Sequence, residues 1–307
     1  MRNNFSILLS GASGFVGKNL TYFLLKYNYV LHVLSRKDLD SINSIFFSSS
    51  DALIHLAGKA HDLLNLKGFE EYYLANTQLT KNLYDAFLKS DVKVFLFISS
   101  IKAVSDRSEH SLHEGHVPNP KTHYGKSKLL AEQYILSKPI PAGKRVYILR
   151  PCMIHGNGNK GNLNLLYKVI VSRIPWPLGS FENKRSFCSI DNLLFIIKEL
   201  IEREDIASGV YNIADDDSLS TNEVISILAK SQNRTPIIWK LPKKVINLIA
   251  KVGDVLNLPL NSERLTKLTE SYVVNNNKIK SAIGKPLPIS AKDGLVKTFQ
   301  SFKSKKV

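Results

Sequence analysis

A glycine-rich loop between an apolar segment and a helical pattern lies near the start of this 307-residue chain and constrains its fold more than any other feature. Phe5–Leu9 forms the apolar segment, and Leu20, Phe23 and Leu24 share one face of the helical pattern that follows. The loop between them reads Gly11-Ala12-Ser13-Gly14-Phe15-Val16-Gly17. Glycines at a strand-to-helix junction permit a tight turn, let a pyrophosphate approach the backbone, and let helix and strand pack closely. The pattern therefore predicts a dinucleotide-binding unit at the N-terminus.

Apolar runs and helical patterns alternate through the first half of the chain. Further strands are predicted at 29–34, 51–58, 92–98 and 145–149, and a long helix is predicted at 68–90. This alternation predicts an α/β fold, a Rossmann-like doubly wound parallel sheet with helices on both faces. Ligands bind such sheets at the carboxyl ends of the strands. The residues predicted to lie at those ends include Gly11, Arg36, Gly58 and Ser100.

The second half of the chain is less regular. Its predicted elements are helices at 163–172, 191–203 and 243–256 and strands at 209–213 and 237–239. Ser220 and Glu223 form a capping-box pattern at the start of a further helix. We expect residues 1–155 to form the dinucleotide-binding domain, with 189–213 returning to it. Residues 156–307 are expected to form a smaller, mostly C-terminal substrate domain.

The formal net charge of +16 raises the question of an acidic partner. The lysines are scattered, and no helix-turn-helix, zinc-finger or aromatic RNA-binding motif accompanies them. We therefore predict a solvated basic surface and no nucleic-acid partner, although an anionic substrate or an acidic membrane surface would also suit the charge. The helix at 243–256 is basic and amphipathic and could meet a membrane. Packing against the core with a solvated outer face is the preferred interpretation.

Composition and cysteine content indicate the compartment. Hydrophobic residues make up 44% and charged residues 22%, as in ordinary soluble proteins. No apolar run approaches the about 20 residues of a membrane-spanning helix, and the apolar start is too short for a signal peptide. Cys152 and Cys188 are too few for a disulfide framework. We expect a cytoplasmic protein with no integral membrane contact.

The second predicted strand ends in Ser35-Arg36-Lys37, the place where a dinucleotide fold recognises the adenosine ribose. An acid there binds the ribose hydroxyls of NAD(H), whereas arginine suits the 2′-phosphate of NADP(H). The first acid after this strand is Asp38. We therefore predict NADP(H) in preference to NAD(H). A solvent-exposed basic turn without a cofactor role is the alternative.

Tyr124 and Lys128 lie four residues apart at the start of a helical pattern. If Tyr124 falls in the first turn, both side chains lie on one face of the helix. An ammonium beside a phenol favours the phenolate, so we expect Lys128 to lower the Tyr124 pKa from about 10 towards the working range of a general acid/base. The same spacing arises by chance in many helices. The pair gains meaning only beside a cofactor site.

Three histidines recur at every third residue in a polar loop: His110, His113 and His116, next to Glu109 and Glu114. Such side chains can bind zinc. Their spacing lies in a loop and matches no zinc-site pattern. We predict no metal site and interpret the segment as a polar loop near the substrate.

Several further motifs accompany the glycine loop. They are His55-Leu56-Ala57-Gly58, Asn76, Ser99-Ser100, Tyr124 with Lys128, Leu149-Arg150-Pro151, His155-Gly156-Asn157-Gly158 and residues 184–193. Together they resemble the extended short-chain dehydrogenase/reductases of the NAD-dependent epimerase/dehydratase family, the group related to UDP-glucose 4-epimerase. Residues 99–104 are most similar to bacterial sugar reductases that act on the 4-ketone of UDP-2-acetamido-2,6-dideoxy sugars in surface-polysaccharide synthesis.

The resemblance implies a role for each matched position. Tyr124 is the expected general acid/base, Lys128 is expected to hold the nicotinamide ribose and tune Tyr124, and Ser100 to hydrogen-bond the reacting oxygen. The expected cofactor-binding residues are Gly11, Ser13, Gly14, Phe15, Val16, Gly17, Ser35, Arg36, Leu56, Ala57, Gly58, Asn76, Ser99, Tyr124, Lys128 and Pro151. The expected substrate-binding residues are Lys102, Asn162, Arg185 and Arg264.

Two places depart from the family pattern. The pattern puts a serine or threonine at Ile101, one residue after Ser100, so the hydroxyl that partners Tyr124 stays open. The segment between Ser35 and Asp51 is short. The usual third strand, with its aspartate near the adenine, is expected to be missing or reduced there.

The resemblance leaves three functions open. The first is NAD(P)H-dependent reduction of a UDP-4-keto-6-deoxy-(N-acetyl)hexose, in which Tyr124 protonates the oxygen at C4. The second is a UDP-(N-acetyl)glucose 4-epimerase with tightly bound NAD. The third is a non-catalytic NADP-binding regulator, which the retained Tyr124 and Lys128 disfavour. The resemblance also implies a UDP-sugar partner and a homodimer.

Overall fold

A six-stranded parallel sheet forms the larger layer of the structure, a computed structural model that describes residues 5–40, 42, 47, 50–59, 68–108, 110–159, 161–256, 258 and 260–303. The spatial order of its strands is β2-β1-β3-β4-β5-β8. Their bounds are β1 Ser6–Ser10, β2 Val30–Leu34, β3 Ala52–His55, β4 Val94–Ile98, β5 Arg145–Pro151 and β8 Gly209–Ile213. All five neighbouring pairs run parallel.

Helices cover both faces of this sheet because alternate strand residues point to opposite sides. Ile7 and Leu9 pack into a cluster with α1 (Phe15–Lys26) and α7 (Ile190–Glu202). Leu8, between them, packs into a second cluster with α4 (Leu79–Lys89) and α5 (His123–Leu136). Strands buried on both faces read as continuous apolar runs, as β1, β3 and β4 do. The predicted fold class is confirmed.

A smaller three-stranded sheet stands beside the larger one. Its strands, in the order β6-β7-β9, are β6 Met153–His155, β7 Arg185–Ser189 and β9 Ser218–Leu219. A separate apolar cluster joins this sheet to helices of the second half. Besides α7, the helices of the second half are α6 Asn162–Val171, α8 Thr221–Ser231, α9 Lys243–Leu256, α10 Ser262–Thr269, α11 Asn277–Ile283 and α12 Ala291–Lys303. The boundary between residues 155 and 156 stays a prediction; β8, from the predicted returning segment, pairs with β5.

Most predicted elements are present, and three differ in detail. The long helix predicted at 68–90 is divided into α3 (Phe69–Tyr72), a π-helical segment (Tyr73–Gln78) and α4. The strand predicted at 237–239 forms only isolated bridges. The short helix α2 (Arg36–Asp40) follows β2, and most of the segment expected to lack the third strand lies outside the described residues.

Two further expectations concern helix ends and membranes. The predicted capping box is confirmed: the Ser220 side chain accepts from the Glu223 backbone, and the Glu223 carboxylate accepts from Ser220 N at 2.8 Å. Among the described residues, no helix is both long and apolar enough to cross a membrane.

Candidate active site

Helix α5 begins where a short loop fixes its first turn, and this turn carries Tyr124. The Thr122 hydroxyl caps the helix by accepting from Gly125 N at 3.2 Å. The Asp106 carboxylate in turn accepts from Thr122 Oγ1 at 3.0 Å and from Lys121 N at 2.6 Å. A methyl group added at Gly125 would lie 2.4 Å from the Lys102 carbonyl oxygen, so only glycine lets this turn approach the loop after β4. Tyr124 therefore lies in the first helical turn, as predicted.

Ser100 follows β4 and is the hydroxyl that the structure brings to Tyr124. The Ser100 hydroxyl oxygen accepts from Lys102 N at 3.2 Å, and the hydroxyl lies close enough to the Tyr124 phenol to lower its pKa. Ile101, the position at which the family pattern expects a hydroxyl, is buried in the apolar core instead. Ser100 rather than Ile101 therefore lies beside Tyr124, and its catalytic role stays a prediction.

The pKa of Tyr124 is raised, which contradicts the expectation that Lys128 lowers it. Burial is the largest cause of the increase, the neighbouring Ser100 hydroxyl opposes it, and Tyr72 adds to it. Lys128 is not among the groups that shift this pKa, because its Nζ turns towards β4. There it donates to the Ile98 carbonyl at 2.9 Å and lies 4.6 Å from the Phe97 ring centroid. The Tyr124 phenol is therefore held in its protonated form.

Lys128 is itself buried, and burial lowers its pKa to about 8 against the opposing charge of Glu132. The β3 end lies close by: a methyl group added at Gly58 would lie 3.5 Å from Lys128 Nζ. Below it, His55 is held by Ser10 Oγ at 2.7 Å and Thr80 Oγ1 at 2.9 Å. Burial, followed by the Lys128 charge, lowers the pKa of His55 to about 3. His55 is therefore a neutral support beneath the site.

The glycine loop brings β1, α1 and β3 into close contact. Gly11 has φ +80°, and a methyl group on it would lie 2.5 Å from Ala57 N. A methyl group on Gly17 would lie 2.2 Å from the Gly11 carbonyl oxygen. Gly14 is the residue before α1, whose first turn carries no acid. Free N–H groups at such a helix start attract phosphate, so the predicted loop fits a dinucleotide.

The other residues predicted to bind the cofactor near this loop lie directly beside it. Ser13 and Gly14 precede α1, and Phe15, Val16 and Gly17 form its first turn. Leu56 and Ala57 follow β3, and Ala57 N donates to Ser10 Oγ at 3.3 Å.

Asn76 is buried in the π-helical segment and joins two parts of the site. Its side chain accepts from Lys59 N at 2.8 Å and donates to Ser127 Oγ at 2.9 Å. A methyl group at Gly58 would lie 2.5 Å from Asn76 Oδ1. Asn76 therefore couples the loop after β3 to α5, and π-helical segments are frequent at functional sites.

Arg36 is exposed at the carboxyl end of β2, where it opens α2. Asp38 is occupied by the local backbone: its carboxylate accepts from Ser35 N at 2.7 Å, and Ser35 hydrogen bonds hold its pKa below the ordinary value. The nearest acid therefore caps its own helix, while the arginine remains at the surface next to the predicted ribose site.

Ser99 and Pro151, at the carboxyl ends of β4 and β5, flank a buried ion pair that the sequence reasoning missed. Ser99 Oγ donates to Glu132, and Arg150 Nε donates to the same carboxylate at 3.0 and 3.1 Å. Glu132 lies one turn after Lys128 on α5, so spacing could have revealed it. The predicted contact of Ser99 with a cofactor stays a prediction, since its hydroxyl faces inward.

The predicted substrate residues divide into two groups. Lys102 and Arg185 lie near each other: Lys102 Nζ is 4.5 Å from the Tyr272 ring centroid, and the nearby Arg185 charge contributes to a Lys102 pKa that burial lowers. Arg185 donates to the Lys267 carbonyl on α10, the helix that carries Arg264. Asn162 opens α6.

Side chains of the histidine loop contact one another and strand β8. The rings of His113 and His116 lie 4.0 Å apart, and the Glu114 carboxylate accepts from Asn212 N at 2.8 Å. Within the described residues, which leave out Glu109, no group of three or more His, Cys, Asp or Glu side chains is placed to hold a metal ion.

Comparisons with known proteins place these features in a family. Residues 7–214 match the family described as the NAD dependent epimerase/dehydratase family. The chain is 30% identical to the UDP-glucose 4-epimerase of Vibrio cholerae, over 97% of this chain and 95% of that one. It is 28% identical, over the same shares, to the N-acetyl-alpha-D-glucosaminyl-diphospho-ditrans,octacis-undecaprenol 4-epimerase of Escherichia coli O157:H7. The GDP-6-deoxy-D-mannose reductase of Pseudomonas aeruginosa is 29% identical, over 73% of this chain and 79% of that one.

Solved structures share the fold over the whole chain. The UDP-N-acetylglucosamine 4-epimerase from Bacillus cereus superposes with a TM-score of 0.77 at 20% identity, covering 98% of this chain and 99% of that one. RMD from Pseudomonas aeruginosa, complexed with NADPH, superposes with a TM-score of 0.73 at 22% identity over the same shares.

Proposed function

This chain belongs to the NAD dependent epimerase/dehydratase family, and from that premise we propose that it acts at C4 of a UDP-sugar with a nicotinamide dinucleotide. The reaction that we favour is reduction of a UDP-4-keto-6-deoxy-(N-acetyl)hexose in surface-polysaccharide biosynthesis. The relatives are named as epimerases and reductases, so the chain is an enzyme and the non-catalytic regulator is set aside. A cytoplasmic homodimer remains part of the proposal.

The position of the Ser100 hydroxyl beside the Tyr124 phenol is the observation that carries this proposal. Because burial keeps the phenol protonated, Tyr124 can give its proton to an oxygen that gains negative charge at C4. The Ser100 hydroxyl lies where it can stabilise that same oxygen. A bound NAD(P)H would supply the hydride. Lys128, whose pKa of about 8 leaves it mainly cationic near neutrality, is suited to hold the ribose hydroxyls.

The cofactor that we favour is NADP(H). Exposed Arg36 presents a guanidinium at the carboxyl end of β2, and guanidinium groups bind phosphate with two parallel hydrogen bonds. Asp38, the acid that would otherwise suit ribose hydroxyls, is engaged with Ser35. Biosynthetic reduction with NADPH agrees with this arrangement.

A UDP-sugar fits the predicted substrate side of the site. Lys102, Arg185 and Arg264 supply positive charge, and arginine suits the oxygens of a diphosphate. Two of the similar proteins are named for UDP-glucose and UDP-N-acetylglucosamine, and they support a uridine nucleotide in the substrate. The similar reductase is named for a GDP-sugar.

The test is incubation of the purified enzyme with a UDP-4-keto-6-deoxy-N-acetylhexose and NADPH. We expect oxidation of one NADPH for each keto sugar consumed and a UDP-6-deoxy sugar as product by mass spectrometry. If the folded enzyme oxidises no NADPH with this keto sugar, the reductase hypothesis is wrong.

The second candidate is a UDP-(N-acetyl)glucose 4-epimerase with tightly bound NAD. It is favoured by the 30% identity to a UDP-glucose 4-epimerase over 97% of this chain. Here bound NAD would take up the hydride of C4 and give it back on the opposite face of the ring, while Tyr124 would accept the proton of the C4 hydroxyl and later return a proton to the same oxygen, without net redox change. Appearance of the 4-epimer from UDP-glucose or UDP-N-acetylglucosamine without added cofactor would decide for it.

A further inference from the structure

Helix α9 presents an apolar face to solvent. Ile246, Ala250 and Gly253 recur at helical spacing and form the buried stripe that packs on the protein. The side chains beside that stripe are also apolar, with exposed fractions between 42% and 79%: Val245, Leu248, Ile249, Val252, Val255 and Leu256. The helix packs on the protein with a solvated outer face, as expected, and much of that outer face is hydrophobic.

Residues that adjoin α9 in the chain add further exposed hydrophobic side chains. Ile237, Trp239 and Leu258 are each between 42% and 52% exposed, and with the six side chains of α9 they form what we call the α9 surface. Nine of the twenty-one large hydrophobic side chains that are exposed in the described part of the chain fall in this short stretch. Such clustering marks an interaction site, since single exposed hydrophobic residues are ordinary but contiguous patches are not.

Positive charge borders the α9 surface. Lys240, Lys243, Lys244 and Lys251 are all exposed. Lys244 and Lys251, seven residues apart, lie along one edge of the apolar face. The single acid of the helix, Asp254, is engaged elsewhere, because its carboxylate accepts from Ser262 N at 2.9 Å and from Ser262 Oγ at 2.5 Å.

We propose that the α9 surface docks on an anionic lipid bilayer, an interaction beyond the proposed reaction. The aliphatic side chains would enter the acyl boundary, while the lysines meet anionic headgroups. Trp239, at the start of the surface, suits the headgroup level because its ring is apolar and its N–H is polar. A second copy of the chain fits this surface less well. A two-fold contact would bring the lysines that border one α9 surface close to those that border the other, and the like charges would repel.

Docking would also place the predicted substrate side next to the bilayer. A methyl group at Gly253 would lie 1.9 Å from the Leu260 carbonyl oxygen, so the chain after α9 folds back directly against the helix. That chain continues into α10, which carries Arg264 and receives the hydrogen bond from Arg185.

The test is co-sedimentation of the purified full-length chain with phosphatidylcholine vesicles, with and without phosphatidylglycerol. We expect binding to the anionic vesicles that weakens as salt is raised. Leu248→Ser combined with Val255→Ser should weaken binding at least about tenfold, because the inserted area is lost. Lys244→Gln and Lys251→Gln should each weaken it about fivefold. Leu136→Ser is the matched control, since Leu136 is 57% exposed on α5, away from the patch.

The variants must be shown to fold, by circular dichroism and thermal melting, and Leu256→Ser provides a second apolar change if the double variant does not. Failure of the wild-type chain to bind anionic vesicles would overturn the proposal, as would unchanged binding by folded variants. If the apolar variants alter only the sedimentation coefficient of the free protein, the surface belongs to a second copy and the proposal is wrong.

Discussion

Replacement of Lys128 by methionine is expected to stabilise the folded protein near neutral pH while it removes a residue assigned to the active site. Methionine has a similar length and no charge, so it can fill the same buried space. The reason is burial. Lys128 is 5% exposed, and its ammonium lies in a poorly solvated environment next to Gly58 in the loop after β3.

The magnitude follows from the pKa. Burial lowers the Lys128 pKa from 10.5 to about 8, a difference that corresponds to about 3 kcal/mol. Because the folded pKa lies below the unfolded one, the charged lysine costs this free energy below about pH 8, and the cost disappears as the pH rises towards 10.5. Methionine also removes the hydrogen bond to the Ile98 carbonyl, worth about 1 kcal/mol. The net stabilisation near neutral pH is therefore about 2 kcal/mol.

Urea unfolding of both proteins without added cofactor would measure the effect at several pH values from neutrality upwards. The difference in unfolding free energy should be largest near neutral pH and should shrink, then reverse, as the solution becomes alkaline. Lys126→Met is the matched control, because Lys126 is exposed on the same helix and should show little difference at any pH.

Two results would refute this reasoning. The first is a methionine variant that is less stable than the wild type near neutral pH. The second is a stability difference that does not depend on pH, which would mean that packing rather than charge governs the site.

Three further predictions concern the site and its support. Tyr124→Phe removes the proton donor and should lower kcat at least about 100-fold with NADPH affinity retained by fluorescence titration; residual activity near the wild-type level would exclude Tyr124 as the acid. Arg36→Ser should weaken NADPH binding at least about tenfold and NADH binding little, whereas equal loss for both would contradict a 2′-phosphate contact. Glu132→Ala leaves Arg150 buried without its partner and should lower the free energy of unfolding by about 3–5 kcal/mol in urea titrations, and Arg150→Met added to it should recover most of that loss; no recovery would show that the two are not coupled.

The sheet and the approach of its strand ends were predictable because they depend on local periodicity. The apolar runs at β1, β3 and β4 and the glycines at Gly11 and Gly17 encode parallel strands and close contacts directly. The Tyr124–Lys128 spacing correctly indicated a shared helix.

Other features depend on contacts between distant parts of the chain. The π-helical segment around Asn76 reflects hydrogen bonds to Lys59 and Ser127, which no local propensity reveals. The direction of the Tyr124 pKa shift depends on how much water the fold removes, and spacing along a helix carries no information on that. The amphipathic pattern of α9 was visible in the sequence, but the face that packs on the protein was not.

Strand β8 has a consequence for how the chain is synthesised. β5 pairs with β4 on one side and with β8 on the other, although β6, α6, β7 and α7 lie between β5 and β8 in sequence. On the ribosome, β5 therefore emerges with one edge unpaired until residues 209–213 follow. During that interval an apolar strand edge is open to other chains, so the segment from Cys152 to Ser208 sets the period in which a nascent chain most needs a chaperone.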